Sequence, residues 1–311
     1  MTGATTRADG EAAARTAEEQ REHERREVAK HYEHDADVFR LVLDGRLGYA
    51  TGVFHDGAEY LETAQQRKYE WLRALLDIRP DERVLDVGSG WGSNLLFLAE
   101  TTQGRFRGVT LSGRQRDHTL ARAAELGVAD RVQVDLCHVE DLALEPESLD
   151  VALFVGSIVH MRNRENVHRL VARALRPGGR LLISDCYFPR EARGDRNSAA
   201  TEYIFVEALG YCHLLGLPEE LALIERGGLD VLHVEDLTAS YALTLGRWID
   251  NVRRHRARIE ALAPGFSEVL QCYMTVAKMS FERRTALEYM ILACKGAPRG
   301  RLASPLRPAM R

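Results

Sequence analysis

Residues 84–92 read Val-Leu-Asp-Val-Gly-Ser-Gly-Trp-Gly. An apolar run ends in three glycines at alternate positions, and the helix-forming segment 94–101 follows it. Because glycine has no Cβ, the backbone can turn sharply there and approach a ligand closely. The stretch therefore predicts a buried strand, a ligand-binding loop and a helix, with the loop formed by Gly88, Gly90 and Gly92.

The rest of the chain repeats this change from strand to helix. From Arg83 onwards, short β-branched runs alternate with longer helix-forming segments. The alternation is typical of right-handed βαβ units and predicts an α/β fold with a doubly wound, mostly parallel sheet of seven strands. In such a sheet we expect the ligand at the carboxyl ends of the strands. Further helices are predicted over 34–43, 61–76 and 243–262.

The glycine loop differs from the dinucleotide-binding fingerprint G-x-G-x-x-G. Ser93 stands where that fingerprint has its last glycine. The loop therefore favours a ligand other than NAD.

Composition excludes several classes of protein. The chain has 311 residues, a net charge of −4 and 45% hydrophobic residues, a balance typical of globular proteins and without the basic excess of most nucleic-acid binders. The apolar run 151–159 is too short to span a bilayer, and residues 1–29 lack a signal-peptide pattern. The five cysteines are scattered and predict neither disulfides nor a metal site. We expect a cytoplasmic protein that binds no nucleic acid.

The order of segments suggests a division of the chain. Residues 1–60 are predicted to form an N-terminal helical cap, in which the charged segment 11–26 is an exposed helix and a solvated arm. Residues 61–296 contain the α/β domain, with an inserted helical lid at about 190–217. Residues 297–311 are predicted to be a disordered tail.

A second segment, Gly-Val-Thr-Leu-Ser-Gly-Arg-Gln at 108–115, narrows the family. With 84–92 it resembles class I S-adenosylmethionine-dependent methyltransferases, and in particular their cyclopropane-fatty-acid and mycolic acid synthase branch. Segments 31–54 and 240–248 are similar to patterns near the two ends of proteins of that branch. The resemblance implies a Rossmann-like methyltransferase fold and S-adenosylmethionine as the cofactor.

The resemblance also implies where the cofactor binds. Backbone N–H groups of residues 88–92, at the start of a helix, would receive the methionine carboxylate. Asp86 would support the turn or meet the amino group, Val139 would lie against the adenine, and Glu140 would accept its N6 amine. The other implied contacts are Tyr32 and Tyr49 at the methionine end, Thr110, Leu111 and Gln115 at the ribose, and Gly156 after the fourth strand.

The resemblance to cyclopropane synthases ends at their catalytic residues. Where that branch holds a bicarbonate base with a cysteine, a glutamate and a histidine, this chain has Thr51, Val159 and Ser184, which disfavours cyclopropanation. Instead, His160 and Asp185 resemble a pair in specialised-metabolite O-methyltransferases. A histidine can remove the proton of an acceptor hydroxyl while a carboxylate orients it.

The acceptor is expected to be small, largely apolar and bound under an aromatic cover. Tyr203, Phe205, Tyr211 and Tyr241 are the candidate cover residues, and Tyr203 is also a candidate base. Methylation of oxygen and of carbon both stay open at this point, and so does methylation of nitrogen. Alternatives are a cyclase that binds the cofactor without methyl transfer, or a cyclopropane-type lipid-modifying enzyme. The oligomeric state, including a homo-oligomer, is also left open.

Overall fold

The computed structural model describes residues 17–32, 34–189 and 212–297. Strands within these ranges belong to one sheet. They are β1 (Arg83–Val87), β2 (Arg105–Thr110), β3 (Val132–Leu136), β4 (Leu149–Val155), β5 (Leu175–Tyr187), β6 (Asp230–Asp236) and β7 (Leu287–Cys294).

The sheet has the order β3-β2-β1-β4-β5-β7-β6. Strands β1 to β5 pair in parallel, and β7 runs antiparallel to both of its neighbours. The predicted doubly wound, mostly parallel sheet of seven strands is confirmed. The chain order reverses between β1 and β4, which is where a doubly wound sheet opens a ligand crevice.

Helices flank the sheet on both faces, and none in the described ranges has the length and apolarity needed to cross a membrane. Leu85 and Phe154 of the strands contribute to a core with Val167 and Val171, while Val84 and Leu153 pack in a second core with Leu75. The helices are α1 (Ala17–Tyr32), α2 (Ala36–Arg40), α3 (Leu61–Leu76), α4 (Ser93–Thr101), α5 (Gly113–Glu125), α6 (Arg164–Ala174), α7 (Leu217–Arg226), α8 (Thr238–Leu262) and α9 (Phe266–Glu282).

Some helix ends differ from the prediction. Helix α2 is shorter than the predicted 34–43 because the Asp35 carboxylate accepts a hydrogen bond from the Asp37 N–H and starts the helix there. Helix α8 begins before the predicted residue 243 because Asp236 similarly accepts from the Thr238 N–H. By contrast, α3 has the predicted bounds.

Two segments that resemble patterns of the same family, 31–54 and 240–248, lie side by side in the structure. The Gly52 N–H donates to Thr244 Oγ1 at 2.9 Å, and the Phe54 N–H donates to Ser240 Oγ at 3.2 Å. Tyr49 packs against Trp248 with ring centroids 5.2 Å apart. The N-terminal segment and helix α8 thus form one wall above the sheet. Residues 190–211 of the predicted lid and 298–311 of the predicted tail lie outside the described residues, so the domain division stays a prediction.

A buried ion pair holds helix α6 to helix α7. Glu220 bonds both Arg164 and, at 2.7 Å, His168 Nε2, and each of these side chains is at most 2% exposed. Arg164 also donates to the carbonyl oxygen of His213. The ion pair therefore fixes the start of the segment that follows the undescribed residues.

We expect Glu220→Ala to lower the free energy of unfolding by about 3–5 kcal/mol, because it leaves the buried Arg164 guanidinium without its carboxylate and His168 without its hydrogen-bond partner. Urea unfolding followed by circular dichroism measures the change. Glu225→Gln, at an exposed position of the same helix, is the control. A loss below about 1 kcal/mol would contradict this account of the pair.

Candidate active site

The glycine loop joins β1 to α4 in a backbone conformation that suits glycine. Gly88, Gly90 and Gly92 have φ of 74°, 54° and 79°, a region that side chains disfavour. A Cβ on Gly88 would lie 2.3 Å from the Cβ of Ser157, and the Ser157 hydroxyl donates to the Val87 carbonyl oxygen at 2.6 Å. The loop is thus held tightly against the turn that follows β4.

A cavity opens beside this loop at the carboxyl ends of β1 to β4, and we call it the loop cavity. Predicted cofactor residues that line it are Tyr49, Gly88, Gly90, Thr110, Leu111, Gln115, Val139 and Gly156. Other lining residues are Glu24, Leu47, Ala50, Val87, Ser89, Trp91, Ser93, Asn94, Val109, Ser112, Cys137, His138, Val155, Ser157, His160 and Met161.

Polar groups of the loop cavity fit a ligand with a methionine end and a ribose. Trp91 Nε1 and Asn94 Oδ1 are buried beside the glycine loop without a hydrogen-bond partner in the described part of the chain. Thr110 and Gln115 are joined by a hydrogen bond of 2.6 Å, which orients the glutamine amide at the end of β2. These groups can hold S-adenosylmethionine.

Asp86 lies beneath the loop and is not one of the residues that line the loop cavity. Burial raises its pKa to about 7, against the opposing effect of Lys68. Burial likewise lowers the pKa of Lys68 to about 8, opposed by Asp44 and Asp86. The position of Asp86 therefore agrees with the first predicted role, support of the turn. It does not agree with the second, contact with the amino group of the cofactor, because Asp86 is not in the cavity lining.

Glu140 is also absent from the lining of the loop cavity. Its Oε1 accepts hydrogen bonds from the side-chain amides of Asn163 and Asn166, at 2.8 and 2.5 Å. These bonds hold Oε1 at the start of helix α6, while Oε2 lies 3.9 Å from Nδ1 of His138. Gly92, another predicted cofactor residue, is also absent from the cavity lining. A Cβ built on Gly92 would meet the side chain of Thr119, so this glycine lets the loop pack against helix α5.

Several predicted residues cannot be placed. Tyr203, Phe205 and Tyr211 lie outside the described residues, and so does the side chain of Tyr32. Their assigned roles stay predictions.

A second cavity adjoins the loop cavity, and we call it the side cavity. The two share Tyr49, Ala50, Gly156 and His160. The remaining lining residues of the side cavity are Thr51, Val159, Asp185, Cys186, Cys212, Leu214, Tyr241, Tyr273 and Glu288. His160 thus lies at the junction, on a short 3-10 turn after β4.

Asp185 contacts the turn that contains His160 by accepting a hydrogen bond from a backbone N–H of that turn. Its carboxylate accepts from the Val159 N–H at 3.3 Å and from the Cys186 N–H at 2.8 Å. The Sγ atom of Cys212 lies 3.7 Å from Nδ1 of His160. The predicted side-chain pairing is therefore replaced by a different arrangement, in which Asp185 positions the residue next to the histidine and Cys212 contacts its ring.

Glu288 is an ionisable residue of the side cavity that sequence reasoning missed. It is 3% exposed and lies opposite Cys186 in the β5–β7 pairing. Its carboxyl accepts from Ser184 Oγ at 3.0 Å and from the Cys186 thiol at 3.3 Å. Burial, reinforced by Asp185, raises its pKa to about 8. A glutamate inside the apolar run Leu287–Cys294 was the available signal.

Fold, glycine loop and loop cavity define a class I S-adenosylmethionine-dependent methyltransferase. The sequence matches the mycolic acid cyclopropane synthetase family over residues 19–289, and the chain belongs to that family. The resemblance inferred from the sequence motifs is thereby confirmed.

The names of similar proteins refer to different kinds of substrate. It is 30% identical to a probable fatty acid methyltransferase of Mycobacterium tuberculosis, over 90% of this chain and 65% of that protein, so it spans about two thirds of that relative. It is 28% identical to the 27-O-demethylrifamycin SV methyltransferase of Amycolatopsis mediterranei, over 86% of this chain and 96% of that one. The cyclopropane synthase MmaA2 of M. tuberculosis superposes with a TM-score of 0.82 at 21% identity, covering 87% of this chain and 98% of that one.

We expect Gly90→Val to weaken binding of S-adenosylhomocysteine by about 100-fold or more, because a side chain at φ 54° strains the loop and fills ligand space. A Cβ there has no protein atom nearer than 4.0 Å, so it projects into the cavity. Isothermal titration calorimetry measures the affinity. Gly228→Val is the control, since Gly228 has φ 91° with open space around it; an equal loss of affinity in both variants would refute the assignment.

The raised pKa of Glu288 also predicts that the stability of the folded protein depends on pH. Because its pKa rises from 4.5 to about 8 on folding, the folded state keeps a proton that the unfolded chain releases. This proton contributes its full stabilisation of the folded state below pH 4.5, and the contribution is lost as the pH rises through 8. We expect the free energy of unfolding to fall by about 3.5 kcal/mol more between pH 5 and 8 in the wild type than in Glu288→Gln.

Urea unfolding at several pH values tests this difference. Glu62→Gln, at an exposed position of α3, should keep the slope of the wild type. Parallel pH profiles for the wild type and Glu288→Gln would show that Glu288 ionises at its ordinary pKa.

Proposed function

We propose that the protein transfers the methyl group of S-adenosylmethionine to a hydroxyl of a small, largely apolar specialised metabolite, with His160 as general base. The observation that carries the proposal is the position of His160, which lines both the loop cavity and the side cavity. A group at this junction touches donor and acceptor alike.

Methyl transfer from a sulfonium asks for alignment and for removal of one proton. The cofactor, when bound, supplies a methyl group on a good leaving group. The chain has to hold the acceptor oxygen in line and take its proton, and an imidazole is suited to that task near neutral pH. The tautomer with its proton on Nδ1 directs that proton to Cys212 Sγ, 3.7 Å away, and has its basic lone pair on Nε2.

The walls of the side cavity support an acceptor that is apolar with a polar end. Tyr49, Tyr241 and Tyr273 contribute aromatic rings to its lining, while Asp185 and Glu288 lie at its β5–β7 side. Since burial raises the pKa of Glu288 to about 8, its carboxyl is mainly uncharged at neutral pH. A neutral hydroxylated molecule suits such a site better than an ionic one.

The residues that this chain has at the positions where cyclopropane synthases hold their base argue against cyclopropanation. Thr51 and Val159 line the side cavity, and neither can act as a base at neutral pH. The name of the Amycolatopsis relative shows that a similar chain methylates a natural product. Among the alternatives, methylation of carbon is favoured by one observation: the tyrosine rings of the side cavity can stabilise a carbocation.

Three further features stay predictions. They are a cover formed by Tyr203, Phe205 and Tyr211, a cytoplasmic location and the oligomeric state.

We expect His160→Ala to reduce turnover by about 100-fold or more, as loss of a general base does, while affinity for S-adenosylhomocysteine changes by less than about threefold. The assay follows S-adenosylhomocysteine formation with hydroxylated macrolactones, long-chain alcohols, unsaturated fatty acids and 27-O-demethylrifamycin SV as acceptors. His55→Ala, at an exposed position, is the control.

Unchanged turnover of His160→Ala would refute the base. The carbon-13 chemical shift of the transferred methyl group separates methyl ethers from C-methyl products. If the wild type binds the cofactor and converts an acceptor without forming S-adenosylhomocysteine, the protein is a cyclase.

A further inference from the structure

We propose that helix α1 completes the adenine end of the loop cavity, and that the Glu24 carboxylate accepts a hydrogen bond from the exocyclic amine of the cofactor's adenine. The inference rests on the cofactor alone and needs no assumption about the acceptor.

Helix α1 is docked on the protein and is not the solvated arm that its composition suggests. Arg21 Nε lies 3.1 Å from Asp141 Oδ1, and Arg25 pairs with the same carboxylate. Asp141 ends the turn Val139–Asp141, which follows β3. In a doubly wound sheet whose ribose-binding residues end β2, this turn is at the adenine end of the crevice.

Glu24 is a buried residue of α1 that faces this turn. It is 2% exposed, and its Oε2 lies 3.0 Å from Nε2 of His138. Its Oε1 accepts from Gln20 Nε2 at 2.9 Å and from the Arg162 N–H at 3.3 Å. Three partners, Gln20, His138 and the Arg162 N–H, thus hold this carboxylate in one position.

The tautomer of His138 decides what can meet the adenine amine. Nδ1 of His138 accepts from the Glu140 N–H at 3.3 Å, so the ring proton is on Nε2 and is donated to Glu24. Both ring nitrogens are therefore engaged. Oε2 of Glu24 still has a second lone pair, since a carboxylate oxygen accepts two hydrogen bonds.

No other carboxylate competes for this role among the described residues that line the loop cavity. Glu140, the predicted acceptor, is held by Asn163 and Asn166. Glu24 lines the cavity together with His138 and Val139. An amine that donates to Glu24 would place the adenine ring against Val139, as the sequence predicted for that residue.

The test compares S-adenosylhomocysteine with S-inosylhomocysteine, in which a carbonyl oxygen replaces the amine. We expect the wild type to prefer S-adenosylhomocysteine by about tenfold or more, because a carbonyl facing a carboxylate leaves both acceptors unpaired. Glu24→Gln should lose most of that preference, since the glutamine amide can donate to the carbonyl. Glu18→Gln, exposed on the same helix, should keep it.

Calorimetry without acceptor measures these affinities, so the outcome is independent of His160 and of the proposed substrate. Equal affinities of the wild type for the two ligands would overturn the proposal without any variant. It would also be overturned if Glu24→Gln bound both ligands more weakly by the same factor, because Glu24 would then only hold the helix in place. Circular dichroism confirms that the variants are folded.

Discussion

The contact between Gly88 and Ser157 is the constraint on which the rest of the site depends. A Cβ on Gly88 would lie 2.3 Å from the Cβ of Ser157, so only glycine lets the loop after β1 and the turn after β4 come together. The Ser157 hydroxyl then fastens the two by its bond to the Val87 carbonyl oxygen. Because His160 is three residues further on in the same turn, the position of the proposed base follows from the position of the glycine loop.

Burial gives the site its electrostatic character. Asp86, Asp185 and Glu288 are all nearly fully buried, and burial raises the pKa of each. The side cavity consequently holds less negative charge at neutral pH than its composition suggests. Glu220 differs from these three: burial acts to raise its pKa, but its hydrogen bond with His168 and the charge of Arg164 lower it overall. A charged carboxylate thus holds helix α7 in place, whereas the mainly uncharged carboxyl of Glu288 lies where the acceptor is proposed to bind.

Local features of the chain could be predicted, and long-range pairings could not. The glycine loop, helix Leu61–Leu76 and a mostly parallel sheet of seven strands follow from periodicity and turn chemistry over a few residues. The pairing of Glu24 with His138 joins residues far apart in the chain, and only the fold shows that Glu24, and not the predicted Glu140, lines the loop cavity. Glu288 needed the register between β5 and β7.

The same register explains how one scaffold can serve a different acceptor. The branch that this chain resembles places a histidine on the fifth strand, and this chain has Ser184 there. A serine is small enough for Glu288 to reach over from β7, and its hydroxyl donates to that carboxyl at 3.0 Å. In this chain an ionisable group of the side cavity thus lies on β7. Among the described residues the two cavities share only Tyr49, Ala50, Gly156 and His160, so a change at another residue of the side cavity would alter the proposed acceptor site without touching the lining of the loop cavity.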